Sequence, residues 1–412
     1  MKMKKFVITA LLAATTFGAS AQAIMVSSAH QDLKKNYLNK AKDEIDKACE
    51  HPDTKDDAKT WCYKALIYAR IGGEASNKKS KYKNLAPDWA EQAYSAALEC
   101  KRLDTKQEWA KQVNEVFSFV GTDVNSRAYD AYREQNYAES QRLAEMATEM
   151  FNNAGQSQYA NEALYMAGIS AFALHDTVSV KKHFTTLTRK RTDKEFVYTT
   201  LFNLYKAEND NAQAMKVATT FQRNCKNNPD AYLMSAEGYL LSKNVEKGKE
   251  MIDAALNITK DSASVYPVVL VKAGTLLDES AGEYEAAEAK FNESLTLLPN
   301  QFGANYGLGK MYYNRAVDKN NAANQLDPFD EASVGLYEKL NDEAKGYFRQ
   351  AITYLEKSVA YIDGLQSEEL KASQRPNLAN ALFALGNAYA RVDMLNESTA
   401  AKERLKQLQQ GN

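Results

Sequence analysis

The chain has 412 residues, a formal net charge of −1 at neutral pH and 25% charged residues. A nucleic-acid-binding surface would need clustered basic charge, so no nucleic-acid partner is expected. Only seven prolines occur, helix-favouring residues dominate, and strand formers are not concentrated into alternating runs. The composition therefore predicts an all-α protein.

The first 21 residues have the pattern of a secretory signal peptide. A basic start precedes an apolar stretch over 6–17, and small residues follow over 18–21. Such a segment is too short to span a membrane and is removed on export. We expect cleavage after Ala21, which leaves Gln22 first, with cleavage after Ala23 as the alternative.

The rest of the chain bears on localisation. No cysteine follows the apolar stretch, so no lipid anchor is expected. No later segment approaches the roughly 18 uninterrupted apolar residues of a membrane-spanning helix. The sequence therefore predicts a soluble exported protein. A periplasm is the most economical destination, and full secretion is left open.

The N-terminal part of the mature chain, over 22–57, is predicted to form a capping helix and a linker. The helix is expected over 29–49 as a lone amphipathic segment whose apolar positions are Ala41, Ile45 and Ala48. Helix pairs are predicted to follow over 58–299, interrupted by a polar insertion over 72–87.

These pairs are indicated by a helical motif that returns about every 34 residues. Starting from Ala236, small or apolar residues follow three, twelve, sixteen and nineteen positions later. The same template fits starting points at 168, 202 and 386, with one polar exception at Lys402. A period of this length, with small residues where helices touch, is typical of a helix–turn–helix solenoid.

The spacing resembles the tetratricopeptide repeat (TPR) family. One further unit keeps the family's order of residues with one extra residue in the turn: Gly274, Leu277, Ala287, Phe291, Ser294 and Pro299. The resemblance implies a right-handed α-solenoid of antiparallel helix pairs, with about eight repeats after the N-terminal helix. It also implies a scaffold that binds partners and has no catalytic pocket.

The C-terminal part departs from the template before returning to it. Residues 300–363 are predicted to form an irregular repeat whose insertion covers 316–340, so that its second helix begins near Leu340. A final repeat with a polar cap is predicted over 376–412.

The resemblance also implies which residues line a concave groove, because in the TPR family the first helices of the pairs face it. Carried over position by position, the candidate partner-binding residues are Tyr165, Thr199, Asn203, Lys206, Glu237, Tyr306, Lys310, Tyr313 and Asn387. We expect the centre of this groove at exposed Tyr306, Lys310 and Tyr313, beside the long insertion. Packing against the neighbouring first helix is an equal alternative.

Such a groove suits an extended peptide, whose backbone the amide side chains would hold. The predicted function is therefore that of an exported scaffold for protein–protein interaction, in cell-envelope assembly or secretion. Aromatic side chains can also stack on sugars, so a glycan-binding protein on a TPR-like frame is the alternative.

Four cysteines fit an oxidising compartment. Because neighbouring helix ends meet in antiparallel pairs, Cys49, Cys62 and Cys100 are expected to cluster. We predict a Cys49–Cys62 disulfide, with Cys62–Cys100 as the second choice and buried free thiols as the equal alternative. Cys225 is expected to stay unpaired.

No catalytic or metal-binding pattern is found in the sequence. The four histidines form no H-x-x-x-H, and there is no Cys-x-x-Cys, G-x-S-x-G or phosphate-binding glycine loop. His175-Asp176 is predicted to lie in an inter-helix turn with a capping role. The sequence thus predicts no enzyme, metal or cofactor.

Overall fold

The computed structural model describes residues 24–75, 77–327 and 331–410. The predicted signal peptide therefore lies outside the described residues. Every regular element of the described residues is helical, which confirms the all-α fold. The helices are α1 (24–34), α2 (Leu38–Glu50), α3 (Ala58–Ala75), α4 (Trp89–Leu103), α5 (Ala110–Arg133), α6 (Tyr137–Asn153), α7 (Ser157–Ala173), α8 (Thr177–Arg189), α9 (Glu195–Ala207), α10 (Asn211–Asn224), α11 (Pro229–Leu241), α12 (Val245–Thr259), α13 (Tyr266–Leu276), α14 (Tyr284–Leu297), α15 (Phe302–Asn324), α16 (Glu331–Asp363), α17 (Glu368–Ser373), α18 (Arg375–Arg391) and α19 (Leu395–Gln410).

The chain divides into two compact units at Thr192 and Asp193. In the first unit α3 pairs with α4, α5 with α6 and α7 with α8; in the second, the pairs are α9–α10, α11–α12, α13–α14, α15–α16 and α18–α19. The first helices of successive pairs also touch each other, α3 with α5 and α5 with α7, and α11 with α13 and α13 with α15. Each unit is therefore a stack of helix pairs with a face made of first helices, which is the arrangement that the 34-residue period predicts.

The N-terminal cap differs from its prediction, because it consists of two helices instead of one. The chain turns at Asn36, which adopts the left-handed conformation with φ 59°. The amide of Tyr37 donates to the Asp32 carbonyl and closes α1. Asparagine tolerates this conformation better than most residues, so the amphipathic pattern over 29–49 contains a helix break.

Short turns between helices follow one local rule. His175 is left-handed, with φ 57°, and the amide of Asp176 donates back to the Ala171 carbonyl. The Asp176 carboxylate then accepts from the Ser179 amide at 3.1 Å and caps α8. Asn136, Asp210 and Asn244 cap their helices in the same way. The predicted capping turn at His175-Asp176 is confirmed, and so short a turn forces the two helices antiparallel.

Small residues of the template lie where an aromatic ring crosses the first helix. A Cβ atom added at Gly168 would stand 2.2 Å from the Phe184 ring, and one at Gly274 would stand 2.8 Å from the Phe291 ring. Both rings are fully buried. The glycines therefore allow the close helix packing that the repeat spacing predicts.

The template tyrosines link successive pairs through hydrogen bonds to carboxylates. Their hydroxyls donate to an acid on the preceding second helix: Tyr68 to Asp46 at 2.9 Å, Tyr312 to Glu288 at 2.6 Å, and Tyr389 to Glu356 at 2.6 Å. Among the described residues, the Tyr239 hydroxyl has no such bond, and Met215 of α10 lies against the neighbouring Gly238. Burial, joined by the bond to Glu288, raises the pKa of Tyr312, so this hydroxyl stays a donor at neutral pH.

The predicted insertion over 72–87 is helical at its start, because α3 continues to Ala75. The part that follows is fixed by Tyr82, which is buried. Its hydroxyl donates to the Asn36 carbonyl at 2.9 Å. The insertion thus packs onto the turn of the N-terminal cap and is not a solvated loop throughout.

The irregular repeat over 300–363 also differs from its prediction. The extra residue of the preceding turn forms a π-helical turn, Leu277–Ala281, which ends at left-handed Gly282. Instead of beginning near Leu340, α16 begins at Glu331, while α15 continues to Asn324. Buried Ala316 and Ala323 on α15 explain the difference, since tertiary packing offsets the low helix propensity of the asparagines between them.

Candidate functional site

Part of the predicted groove forms an open cleft on the first-helix face of the second unit. Thr199 and Asn203 of α9 and Glu237 of α11 line it, and its volume is about 360 Å³. Phe202 and Leu233, both buried, contribute its apolar floor. Three of the predicted residues are thus brought together.

The charges of this cleft are already paired within the protein. The Lys206 ammonium lies 2.6 Å from the Glu237 carboxylate, and Lys272 lies 2.5 Å from Asp230. Lys206 therefore neutralises the Glu237 carboxylate on the neighbouring first helix and is not a free cation. What remains for a ligand is the exposed Asn203 amide and the Thr199 hydroxyl above an apolar floor.

The expected centre of the groove is more enclosed than predicted. Tyr306 and Tyr313 are half-buried instead of exposed. The Tyr306 ring stacks on Phe302 with centroids 5.6 Å apart, and the Tyr313 ring meets Phe348 edge-on at 5.8 Å. Phe348 belongs to α16 and Phe302 to α15 itself, so both rings pack on other side chains of the second unit.

The polar predicted residues nearby also have protein partners. Lys310 forms an ion pair with Glu279 of the π-helical turn. Asn387 donates from Nδ2 to the Tyr313 hydroxyl at 3.2 Å. Tyr165, in the first unit, is half-buried and its ring stacks on Phe184 at 6.2 Å. These contacts match the alternative that such residues pack between helices.

A larger cleft lies in the first unit and was not predicted. Its volume is about 1110 Å³. The lining residues come from the end of α3, from α5 and from the turn before α7: Gly72, Gly73, Lys111, Asn114, Glu115, Ser118, Phe119, Thr122, Asp123, Ser126, Ala154 and Gln156. We call this set the α5 groove.

The α5 groove combines an aromatic platform with hydrogen-bonding groups. Phe119 is 44% exposed although it is a large apolar side chain. Its ring leans on Trp89 with centroids 6.0 Å apart. Beside it, the Ser118 hydroxyl accepts from Gln156 Nε2 at 2.9 Å. An exposed ring held by a second ring is a rigid anchor point for a ligand.

Asp123 carries a half-buried charge of the groove that is only weakly compensated. Its carboxylate is half-buried, and Arg127 of the same helix lies 4.0 Å away. Burial raises the pKa of Asp123; Arg127 opposes this shift and Glu91 adds to it. A half-buried carboxylate with one distant cation favours a ligand that donates hydrogen bonds or brings positive charge.

A signal for the α5 groove exists in the sequence. Buried Val113, Val116, Val120 and Val124 follow helical spacing on one side of α5, and polar residues repeat at 111, 115, 118, 122 and 126 on the other. The template was applied to starting points at 168, 202, 236, 274 and 386. The groove positions were therefore not carried over to this helix, although Ala128, Ser140 and Ala144 keep the same spacing.

All four cysteines are thiols. Cys62 and Cys100, the second choice of the sequence prediction, are buried on the paired helices α3 and α4. Within residues 24–75, 77–327 and 331–410, no group of three or more His, Cys, Asp or Glu side chains could hold a metal ion. Among these same residues, no helix is both long enough and apolar enough to cross a membrane.

Comparisons with known proteins give only distant similarities. No family model matches the chain, and no curated protein matches it. A chain of the APC/C hetero-tetramer Cut9–Hcn1 is 12% identical, with 97% of this chain and 89% of that chain covered and a TM-score of 0.27. Human IFIT1, solved as a dimer with m7Gppp-AAAA, is 15% identical, with 94% and 90% covered and a TM-score of 0.31. The fold of the present chain therefore rests on its own helix pairs.

Proposed function

We propose that the chain is an exported TPR-like scaffold that binds a segment of a partner protein on its first-helix faces, in cell-envelope assembly or secretion. The observation that carries the proposal is the α5 groove. It is an open cleft of about 1110 Å³, slightly above the roughly 300–1,000 Å³ of typical ligand pockets.

The groove suits an extended peptide by the chemistry of its lining. Phe119 offers an apolar anchor, and Asn114, Ser118 and Gln156 offer hydrogen bonds to a peptide backbone. Asp123 favours a basic side chain of the ligand, because its charge is half-buried and weakly paired. The bound segment should therefore carry an apolar residue near a lysine or arginine.

A displayed library of random peptides tests this proposal. The wild-type protein should enrich sequences with that pattern, and Thr122→Trp, which fills the groove, should abolish the enrichment. Thr186→Trp is the matched control in the same unit. The Thr122 and Thr186 hydroxyls each donate to a carbonyl one helical turn earlier, at 2.8 and 2.9 Å respectively. Enrichment by the Thr122→Trp variant equal to the wild type would exclude the α5 groove.

Export is the second part of the proposal and rests on the pattern of residues 1–21. The expected mature chain begins at Gln22. Intact-mass measurement on protein from the cell envelope checks this, and a mass that retains the first 21 residues would refute it.

A further inference from the structure

Two buried cysteines of the first unit lie on the paired helices α3 and α4. Cys62 is near the start of α3 and Cys100 near the end of α4, two ends that meet because the helices pair. The two side chains are 1% and 0% exposed. Cys49, at the end of α2, lies instead among the charged side chains of Lys64 and Asp46.

We infer that Cys62 and Cys100 form a disulfide that ties α3 to α4 when the protein folds in an oxidising compartment. The inference rests on the export included in the proposed function. Each thiol loses its hydrogen and the two sulfurs join. The two electrons and two protons pass to a disulfide-containing oxidant, either an oxidoreductase or oxidised glutathione, whose own disulfide becomes two thiols.

The surroundings of the pair determine when the bond forms. The hydrogen bond to Cys100, together with burial, raises the pKa of the Cys62 thiol. A thiol with little thiolate exchanges slowly, and an oxidant cannot reach a side chain that is 1% exposed. Oxidation therefore precedes the closure of α3 onto α4, and the finished disulfide is shielded from reductants.

The disulfide would close a loop of about 40 residues. In the chain-entropy model this shifts the unfolding equilibrium constant on the order of several hundred-fold. The wild type should therefore need more denaturant to unfold without reductant than with it.

Peptide mapping tests the pairing directly. The purified chain is reduced, unfolded, refolded in a glutathione redox buffer, alkylated while denatured and digested. We expect the peptides of Cys62 and Cys100 to be linked, with Cys49 and Cys225 alkylated. Alkylation of all four cysteines, or a link between Cys49 and Cys62, would overturn the inference. Since refolding is carried out in the buffer, this result does not depend on whether the signal peptide is cleaved in cells.

Variants add an independent measurement. In Cys62→Ala/Cys100→Ala the denaturation midpoint should no longer respond to reductant. Cys49→Ala removes another buried thiol of the same unit and should keep the full response. If reductant shifted the denaturation midpoint equally in both variants, the shift would not come from a bond between Cys62 and Cys100.

Discussion

Helix α5 of the first unit and helix α15 of the second both present a polar and aromatic stripe on a first helix, but the surroundings of the two stripes differ. On α5, Phe119 is exposed and Asp123 has one distant cation. On α15, Tyr306, Lys310 and Tyr313 each contact another side chain. The partner of α15 is 33 residues long, whereas the partner of α5 has 17 residues. A first-helix stripe is thus available for a ligand only where its neighbours leave it uncovered.

The largest effect that separates the two stripes should be on stability. Tyr306→Ala/Tyr313→Ala removes two half-buried rings, so we expect the free energy of unfolding to fall by about 2–4 kcal/mol. Chemical denaturation measures it. Tyr159→Ala, whose side chain is 59% exposed, is the control and should cost less than about 1 kcal/mol. A double variant as stable as the wild type would mean that the Tyr306 and Tyr313 rings are exposed on the surface and do not contribute to the core.

The opposite result is expected on α5, where the effect should be on binding. Phe119→Ala should weaken a library-derived peptide by about 2 kcal/mol, or about 30-fold, because an exposed ring anchors it. Calorimetric titration measures the affinity, and Tyr159→Ala again serves as control, since its ring also rests on one other ring, Phe151 at 5.5 Å. Unchanged affinity would show that the α5 ring is not an anchor.

A smaller effect concerns a contact within the second unit. Tyr312→Phe removes the hydroxyl that donates to Glu288 at 2.6 Å and should cost about 1–1.5 kcal/mol of stability. Tyr239→Phe is the matched control, because within the described residues the Tyr239 hydroxyl donates to no carboxylate. Equal losses in the two variants would show that the carboxylate contributes nothing beyond packing.

The smallest effect is a pH dependence at Asp123. Burial raises the pKa of its carboxyl in the folded state, with Arg127 opposing and Glu91 reinforcing the shift. Ionised Asp123 therefore costs stability at neutral pH, and the cost disappears as pH falls through the folded-state pKa. Asp123→Asn should be more stable than the wild type by less than about 1 kcal/mol at neutral pH. Denaturation at several pH values should show that the difference in unfolding free energy between the variant and the wild type shrinks as pH falls. A variant less stable than the wild type at neutral pH would mean that the ion pair with Arg127 outweighs the cost of burial.

The repeat architecture could be predicted from the sequence because its determinants are local. Gly168 and Phe184 occupy template positions whose contact is set by helix geometry, and the His175-Asp176 turn needs only a left-handed residue followed by a cap. Such features depend on a few neighbouring residues and on a fixed period. They indicate the helix pairs without knowledge of the rest of the chain.

The candidate site was predictable only in part because exposure depends on what packs over a helix. The template positions Thr199, Asn203 and Glu237 line one cleft. The template does not anticipate that Tyr306 and Tyr313 pack on Phe302 and Phe348. It also omits α5, where the polar stripe opposite Val116 and Val120 is visible, because the groove positions were not carried over to that helix.

The tyrosine–carboxylate bonds between pairs have a consequence for cooperativity. In a stack of repeats, stability is the sum of each pair's own folding free energy and a nearest-neighbour coupling. The bonds of Tyr312 and Tyr389 strengthen that coupling, whereas among the described residues the Tyr239 hydroxyl forms no such bond at the junction of α10 and α11. The cleft at Thr199 and Glu237 spans this junction, because its walls come from α9, α11 and α13. A segment bound there would contact both pairs and add to the coupling of the Lys206–Glu237 ion pair, so that the two pairs would unfold more nearly together.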